Sequence, residues 1–552
     1  MEYLRAAGDV AAQMFPRLSA PQIARLEAVG RRRRVDRGEI IVEQGAVASA
    51  CFVVISGQLT ILQPMDGREL SIATLGEGQF TGEVSLVAGS SNVVSIRVAE
   101  AGELLEITLD ALRRIVQVDA ELSDILMRAF ILRRAELIAT GQGDIVLVGS
   151  RHSASTLRVR EFLTRNGQPH TYLDADSDPG VQALLDRFAF RTSDIPVVIC
   201  HYERVLKNPT NAQIAEFVGF NVSLDPAAVR DVVIVGAGPA GLAAAVYGSS
   251  EGLDVLVLES NAPGGQAGTS SRIENYLGFP TGVSGQELEG RAALQALKFG
   301  AEIAVARSVR RLDCERRPYV VELSNGESVK ARAVIIASGV QYRKPESTGL
   351  ERFEGVGVYY AATPMERQLC RAEDVIIIGG GNSAGQAAVF LARNVRSVLI
   401  LVRGRGLADT MSRYLISRIE QTPNVTVRPF RKVVGVEGKE QLERVRIQDV
   451  CTGETQTLSI RHVFVMTGAN PNTAWLRGCV ALDEKGFVRT GTDLRRDDLV
   501  HWPLVRAPYV LETSAPGVLA VGDVRSGSTK RVAGAVGEGS ASIQLVHRIL
   551  AE

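Results

Sequence analysis

Two stretches of the chain are near copies of each other, and they constrain its fold more than any other feature. Residues 231–241 read DVVIVGAGPAG, and residues 374–385 read DVIIIGGGNSAG. Each is an apolar run that predicts a buried strand, followed by a glycine-rich turn and a helix of small residues. Such a turn lets the backbone approach a ligand and aims the helix N-terminus at its phosphates. The sequence therefore predicts two dinucleotide-binding units.

The first copy carries every element that pyrophosphate binding requires. Its turn and first helical residues are Gly236, Gly238, Pro239, Ala240 and Gly241. A second predicted strand, LDVLVLE, ends in Glu259 about 20 residues further on. A carboxylate at that place accepts hydrogen bonds from a ribose hydroxyl. A purely structural glycine turn would not need this acid.

The second copy differs at the end of its second strand. Its turn and helix start are Gly379, Gly381, Asn382, Ser383 and Ala384. The following strand, SVLILVR, ends in Arg403 rather than in an acid, and Arg405 follows closely. An arginine attracts the 2′-phosphate that a carboxylate would repel. We therefore expect NADPH here in preference to NADH; the alternative is that both arginines are merely exposed.

Further motifs follow in a recognisable order. They are GGQ with Gly264, Gly265 and Gln266; IENYLGFP with Asn275; GVLAVGD with Gly522 and Asp523; and KRVAGAVGEG with Arg531, Val532 and Ala533. With the two glycine-rich turns, they make residues 229–552 resemble low-molecular-weight thioredoxin reductase. The resemblance implies that FAD binds the first unit at these motifs, that NADPH binds the second, and that the protein is a homodimer.

The chain departs from that family where its redox Cys-x-x-C is expected. The segment YYAATPMER, residues 359–367, places Ala361 and Pro364 at the two cysteine positions, so no catalytic residue is assigned. Cys370 lies too far along to replace them. The family's His-Arg-Arg motif falls on Val402, Arg403 and Gly404. Flavin reduction by NADPH stays plausible, whereas dithiol exchange needs a thiolate pair.

The six cysteines are scattered along the chain. They are Cys51, Cys200, Cys314, Cys370, Cys451 and Cys479. Because no two stand at Cys-x-x-C spacing, the pattern argues against a disulfide scaffold, a zinc site and a dithiol centre. We expect structural thiols, no metal site and a cytoplasmic protein.

The region before the first glycine-rich turn resembles two other domains. VGSRHSASTLRVREFL is similar to a glutaredoxin active-site turn and helix, but its Cys-Pro-x-Cys positions fall on residues 153–156, which read SAST. SDIPVV is similar to the segment that holds the cis-proline of that fold, here Pro196. This resemblance implies a thioredoxin-like domain without its sulfurs, whose role is a scaffold or docking surface.

The N-terminal region resembles the cyclic-nucleotide-binding fold. EGQFTGEVSLV is similar to the phosphate cassette of that fold and supplies Gly82 and Glu83 as candidate ligands. The place of the family's phosphate-pairing arginine holds Asn92 and then Val93, and Arg97 is out of phase. Binding of cAMP or cGMP is therefore doubtful. The alternative is a β-roll used for dimerisation or for another ligand.

These patterns predict a multidomain α/β protein: an N-terminal β-roll with helices, a thioredoxin-like α/β domain and a Rossmann-like module for two dinucleotides. The expected boundaries are 1–140 for the cyclic-nucleotide-binding-like domain, 141–225 for the thioredoxin-like domain, 226–342 and 485–552 for the FAD-binding domain, and 343–484 for the NAD(P)H-binding domain. Lys and Arg total 62, as do Asp and Glu, so nothing global indicates nucleic acid. The basic run Arg31–Arg34 is interpreted as a solvated turn. The sequence shows neither a signal peptide nor 18 consecutive apolar residues, so no membrane span is expected.

Three functions stay open at this point. The favoured one is an enzyme in which FAD takes hydride from NADPH and passes electrons to a quinone, ferredoxin, another flavin, a small-molecule disulfide or dioxygen. The second is a non-catalytic regulatory protein whose FAD or NADPH occupancy is read by a partner. The third is thioredoxin reductase activity routed through cysteines of a partner chain. The sequence does not name the acceptor.

Overall fold

The computed structural model describes residues 11–65, 68–82, 86, 91–139, 145–178, 181, 194–200, 204–221, 224–343, 349–439 and 441–552. The candidate ligand Glu83 lies outside these residues.

The N-terminal domain is an antiparallel β-roll closed by helices. Its strands are β1 (Arg31–Val35), β2 (Ile40–Val42), β3 (Ala50–Met65), β4 (Arg68–Leu75) and β5 (Ser95–Thr108), in the order β1-β5-β3-β4 with β2 beside β5. Its helices are α1 (Ala20–Glu27), α2 (Leu109–Val118) and α3 (Ala120–Ala139). Phe130 of α3 packs edge-on against Phe80 in the core. The predicted roll followed by amphipathic helices is confirmed.

The basic run forms strand β1, so its interpretation as a turn is wrong. Antiparallel pairing with β5 places Arg31 opposite Glu106 and Arg34 opposite Glu103. Arg32 forms ion pairs with Glu27 and Glu103, and Arg31 forms one with Glu106. A run of four arginines shows no alternation of apolar and polar residues, so the sequence pattern did not indicate a strand. In the fold, acidic residues across the sheet balance the charges of this strand.

The middle domain, residues 145–221, has a mixed four-stranded sheet. The strands are β6 (Ile145–Gly149), β7 (His170–Asp174), β8 (Val197–Cys200) and β9 (Arg204–Lys207), in the order β7-β6-β8-β9. Only β6 and β7 run parallel. The helices are α4 (Ala154–Arg165) and α5 (Asn211–Val218). The Ile195–Pro196 peptide bond is cis, as the sequence indicated.

The first nucleotide unit is built on a parallel sheet that continues into an antiparallel meander. Its elements before the chain crosses over are β10 (Val229–Val235), α6 (Pro239–Ser250), β11 (Val255–Glu259), α7 (Gly285–Lys298), β12 (Glu302–Val305), β13 (Val309–Asp313), β14 (Tyr319–Leu323), β15 (Ser328–Ile336) and β16 (Val340–Tyr342). The sheet order is β12-β11-β10-β15-β14-β13.

The second nucleotide unit repeats the parallel arrangement. Its elements are β17 (Val358–Tyr359), α8 (Pro364–Leu369), β18 (Asp374–Ile378), α9 (Asn382–Leu391), β19 (Ser397–Val402), α10 (Arg413–Glu420), β20 (Val425–Pro429), β21 (Arg431–Gly438), β22 (Leu442–Asp449), β23 (Thr455–Leu458) and β24 (His462–Val465). Strands β17-β24-β18-β19-β20 form the parallel sheet, and β21-β22-β23 form an antiparallel one.

The chain then returns to the first unit. Strand β25 (Ala469–Pro471) pairs with β16 at the crossover, β26 (Val518–Ala520) joins the sheet beside β15, and α11 (Val532–Ala551) closes the fold. Leu476 and Val480 pack in the core of the first unit, although the expected boundary at residue 484 assigns them to the second.

One cysteine pair contradicts the expectation of unpaired thiols. Cys314, just after β13, forms a disulfide with Cys479 across 165 residues of sequence. Sequence spacing could not show this pair because the whole second unit lies between its members. Of the remaining cysteines, Cys451 is exposed and Cys51, Cys200 and Cys370 are buried.

Candidate active site

The first glycine-rich segment connects β10 to α6 and has no room for a side chain at two of its glycines, Gly236 and Gly241. Gly236 has a φ of +105°, and an added β-carbon there would lie 2.4 Å from the Ala337 carbonyl oxygen. At Gly241 an added β-carbon would lie 1.9 Å from the Gly236 oxygen. Gly238 is the N-cap of α6 and contributes no capping side chain. The helix therefore presents free N–H groups at the turn, which favours an anion.

Glu259 ties this turn to the end of β11. Its side chain is buried, and its two oxygens accept hydrogen bonds of 2.8 Å from the N–H groups of Ala237 and Asn261. A carboxylate has about four acceptor positions, so these two bonds leave capacity for ribose hydroxyls.

A cavity of 680 Å³ opens from this turn. The predicted flavin-site residues that line it are Gly236, Gly238, Pro239, Ala240, Glu259, Gly265, Gln266, Gly522, Asp523, Arg531 and Val532. Four others do not: Gly241 packs beneath the turn, Gly264 packs against Glu289, and Asn275 and Ala533 are exposed. The volume lies within the range of small-molecule and cofactor pockets.

The late motif reaches the cavity because α11 packs on α6. An added β-carbon at Gly539 of α11 would lie 2.1 Å from the Ala240 carbonyl oxygen, so glycine is required at this crossing. The Gly522 N–H donates to Glu538 of α11, which fixes the loop that presents Asp523. Burial raises the pKa of the Asp523 carboxyl above its ordinary value. Asp523 is thus a desolvated polar group facing the cavity.

The second glycine-rich turn has the same construction. Gly379 has a φ of +140°, and an added β-carbon would lie 2.3 Å from the Met466 carbonyl oxygen. Gly381 is the N-cap of α9, again without a capping side chain. Asn382 accepts a 2.7 Å hydrogen bond from the Ser412 N–H, which holds the loop after β19 over the turn. Ala384 is fully buried behind it.

Of this second set, Ser383 also lines the 680 Å³ cavity. It hydrogen-bonds Tyr342, another lining residue, and burial raises the pKa of that tyrosine. Arg403 and Arg405 are exposed just beyond β19, and no hydrogen bond or ion pair engages either within the described residues. Both are therefore available to an anionic ligand.

The segment at the family's dithiol positions reaches the same cavity. Tyr360 and Ala361 both line it, and α8 begins at Pro364. Glu366 accepts a 2.8 Å bond from the Thr363 N–H, and burial raises the pKa of its carboxyl. Cys370 is fully buried at the far end, where burial raises the pKa of its thiol. No cysteine lines the cavity among the described residues.

Among the cavity residues that sequence reasoning missed, Glu161 and Arg165 lie on α4 of the middle domain. Their helix reads as part of a separate α/β domain, and nothing in its pattern signals a neighbouring nucleotide site. At the degenerate turn itself, Ser153 is the N-cap of α4 and its hydroxyl lies 2.8 Å from that of Ser155. His152 is exposed.

Comparison with known proteins explains this arrangement. The family model described as pyridine nucleotide-disulphide oxidoreductase matches residues 230–539. The chain belongs to this family. A second model, the cyclic nucleotide-binding domain, matches residues 32–119 of this oxidoreductase.

Individual relatives agree with the family match. The oxidoreductase is 33% identical to thioredoxin reductase of Mycolicibacterium smegmatis over 324 residues, which are 59% of this chain and 97% of the relative. It resembles the solved thioredoxin reductases of Lactococcus lactis (FR conformation) and T. acidophilum, each with a TM-score of 0.52. Their identities are 27% and 28%, and each match covers 58% of this chain and 99% of the other. The thioredoxin reductase-like reading of the sequence is confirmed.

FAD is the cofactor implied by this family, and the residues present fit it. The bare N-terminus of α6, the buried Glu259, the half-buried Asp523 and the cavity volume match the needs of a dinucleotide. Within the described ranges, no helix is long and apolar enough to cross a membrane. Nor do three His, Cys, Asp or Glu side chains cluster as metal ligands in that part of the chain.

Proposed function

We propose that this oxidoreductase uses FAD to oxidise NADPH and passes the electrons to an acceptor other than a dithiol of its own. When bound, FAD supplies a two-electron carrier between a hydride donor and a second substrate. The chain's residues bind and orient the two nucleotides. The observation that carries the proposal is the single cavity lined by the first glycine-rich turn, by Ser383 beside the second turn, and by Ala361.

Each nucleotide has a distinct set of ligands in this proposal. The N–H groups at the start of α6 hold the FAD pyrophosphate, and Glu259 holds its ribose. At the second turn, the start of α9 holds the NADPH pyrophosphate. Arg403 pairs with the 2′-phosphate, which would account for a preference over NADH.

The acceptor meets the flavin beside Ala361. The methyl group of Ala361 occupies the position at which the related enzymes are expected to carry a cysteine. The cavity wall at this position therefore has space for a substrate but no thiol. The only nearby thiol in sequence, Cys370, is buried with a raised pKa and is therefore a poor nucleophile. A small molecule or a protein carrier that reaches this wall fits the site.

Anaerobic mixing with NADPH tests the proposal. Purified protein should show the yellow flavin spectrum, and NADPH should bleach it rapidly. The alternative function, a non-catalytic redox or nucleotide sensor, predicts that NADPH binds while the flavin stays oxidised. Candidate acceptors are then compared by the rate at which each restores the flavin absorbance.

Three further properties stay proposals. They are a homodimer, which the resemblance to thioredoxin reductase implies; a cytoplasmic location, which the cysteine pattern favours; and a thioredoxin-like fold of the middle domain, which its resemblance to glutaredoxins implies. Sedimentation measures the first directly. Cyclic-nucleotide binding stays doubtful, because Asn92 holds the place of the phosphate-pairing arginine. A cavity in the described part of the N-terminal domain measures 90 Å³ and is lined mainly by apolar side chains such as Phe15 and Ile61. Glu83 lies outside the described residues.

A further inference from the structure

Helix α4 lies with its C-terminal end against the first nucleotide unit. The Arg165 guanidinium donates a 3.0 Å hydrogen bond from Nη2 to the Gly265 carbonyl oxygen. The next residue, Asn166, donates to the Asn261 carbonyl oxygen at 3.3 Å. Gln286 of α7 donates a 2.9 Å bond back to the Thr164 carbonyl oxygen. These bonds fix the C-terminal end of α4 beside the loop that contains Asn261 and Gly265.

Other contacts attach the middle domain at the same face. Asn211 at the start of α5 donates to the Asn261 side chain at 2.9 Å. Asn221 makes two 2.7 Å bonds with the backbone of Val305 at the end of β12. These bonds hold the domain as a fixed part of the nucleotide unit.

Arg165 places its positive charge in the part of the cavity where a dinucleotide would carry its negatively charged pyrophosphate. Gly265, its hydrogen-bond partner, packs against Gly238, since an added β-carbon at Gly265 would lie 3.0 Å from the Gly238 α-carbon. Gly238 is the N-cap of α6, and the free N–H groups of this helix face the cavity. Arg165 lines that cavity with a side chain that is 17% exposed.

The guanidinium has spare donors for an anion. Its ion-pair partner, Glu161, is 3.6 Å away and has a side chain that is 43% exposed, so this ion pair is long and open to solvent. Arginine presents five N–H donors in a planar fork that suits phosphate oxygens. The bond to Gly265 uses one of them.

We propose that Arg165 of the middle domain is a ligand of the FAD pyrophosphate, so that two domains build the flavin site. This inference rests on the proposed function, because it takes FAD as the occupant of the cavity. It assigns the middle domain a direct role in holding the cofactor. The competing explanation is that Arg165 only docks the domain through the Gly265 carbonyl.

Binding to the full-length apoprotein separates these explanations. We would measure the Kd for FAD by flavin fluorescence in wild type, Arg165→Gln and Arg165→Lys, with Arg160→Ala as the matched control. Arg160 lies on the same helix but stacks on Tyr172 instead of lining the cavity. Loss of a charge-assisted bond predicts a Kd raised about tenfold or more in Arg165→Gln. Arg165→Lys keeps the charge and should retain most of the affinity, and Arg160→Ala should match wild type.

Two further readouts complete the experiment. ADP carries the pyrophosphate and adenosine does not, so Arg165→Gln should weaken competition by ADP and leave competition by adenosine unchanged. The melting temperature of the apoprotein should be the same in Arg165→Gln and wild type. The inference is overturned if Arg165→Gln binds FAD like wild type. It is also overturned if the Gln and Lys variants lose affinity equally and both melt earlier, as a docking role predicts. If wild-type apoprotein binds no FAD at all, the proposed function itself fails.

Discussion

Gly265 stands so close to Gly238 that a β-carbon on it would lie 3.0 Å from the Gly238 α-carbon. Gly265 also has a φ of +53°, which disfavours any side chain. Gly265→Ala should therefore push the turn away from the start of α6 and raise the Kd for FAD about tenfold. Equilibrium titration of the apoprotein with FAD measures this change.

Gly290→Ala is the control for that substitution. Gly290 lies inside α7, and an added β-carbon there meets no atom within 4 Å. Alanine favours helix more than glycine, so this variant should bind FAD like wild type and melt no earlier. Unchanged FAD affinity in Gly265→Ala would show that the close approach of the two glycines does not shape the cofactor site.

Arg403 should decide the choice between the two nicotinamide cofactors. Arg403→Ala removes an exposed charge that no ion pair engages in the described part of the chain, so its KM for NADPH should rise about tenfold while that for NADH stays constant. Arg396→Ala is the matched control, because Arg396 ends the loop before β19 and is paired with Asp374. Steady-state kinetics with both cofactors provide the values. An equal effect of Arg403→Ala on NADPH and NADH would exclude a 2′-phosphate contact.

The thiols should differ sharply in reactivity. Cys451 is exposed, Cys51, Cys200 and Cys370 are buried, and Cys314 and Cys479 are joined. Native protein should alkylate fast at Cys451 alone. Denaturation without reductant should expose the three buried thiols, and only reduction should release the last pair. Mass spectrometry of alkylated peptides follows each stage; rapid labelling of Cys314 in native, unreduced protein would contradict the pairing.

Glu289 should make stability depend on pH. Burial in α7 raises the pKa of its carboxyl from 4.5 to about 8. Below pH 4.5 the folded and unfolded states are both protonated. As pH rises from 4.5 to 8, the unfolded chain ionises first, so stability falls across this window and then levels off. Glu289→Gln removes this penalty and should increase stability at pH 7 by up to about 3 kcal/mol.

Melting temperature measured against pH tests that prediction. Glu287→Gln is the control, since Glu287 lies on the same helix but is exposed and paired with Arg291. The two curves for Glu289→Gln and wild type should converge below pH 4.5 and separate above it. Parallel curves over the whole range would show that Glu289 keeps an ordinary pKa.

The dinucleotide turns could be predicted from sequence because their requirements are local. A buried strand, glycines without space for a β-carbon, and an uncapped helix start all lie within about a dozen residues. Gly236, Gly379 and Glu259 therefore stand where the pattern places them. The antiparallel roll was predictable for the same reason, since short β-branched runs and glycine turns are contiguous.

Features formed across long sequence distances were not predictable. The Cys314–Cys479 pair spans the second unit, and Arg165 reaches the 680 Å³ cavity from another domain. The strand formed by the four arginines of β1 could not be predicted, because it depends on pairing with β5, which carries acidic residues. Asn275 followed a local motif, yet it is exposed and does not line the cavity. Its neighbour Glu274 forms an ion pair with Arg418 of the second unit, a contact that the local motif does not encode.

In the proposed function, the flavin is the one two-electron centre that NADPH reduces. Anaerobic titration with NADPH, followed at the flavin absorbance band, measures how many electrons the protein accepts. Complete bleaching is expected at about one NADPH per FAD, because each NADPH delivers one hydride and the Cys314–Cys479 disulfide does not line the cavity. Absence of bleaching would favour the sensor function. An end point near two NADPH per FAD would reveal a second redox centre and contradict the proposed function.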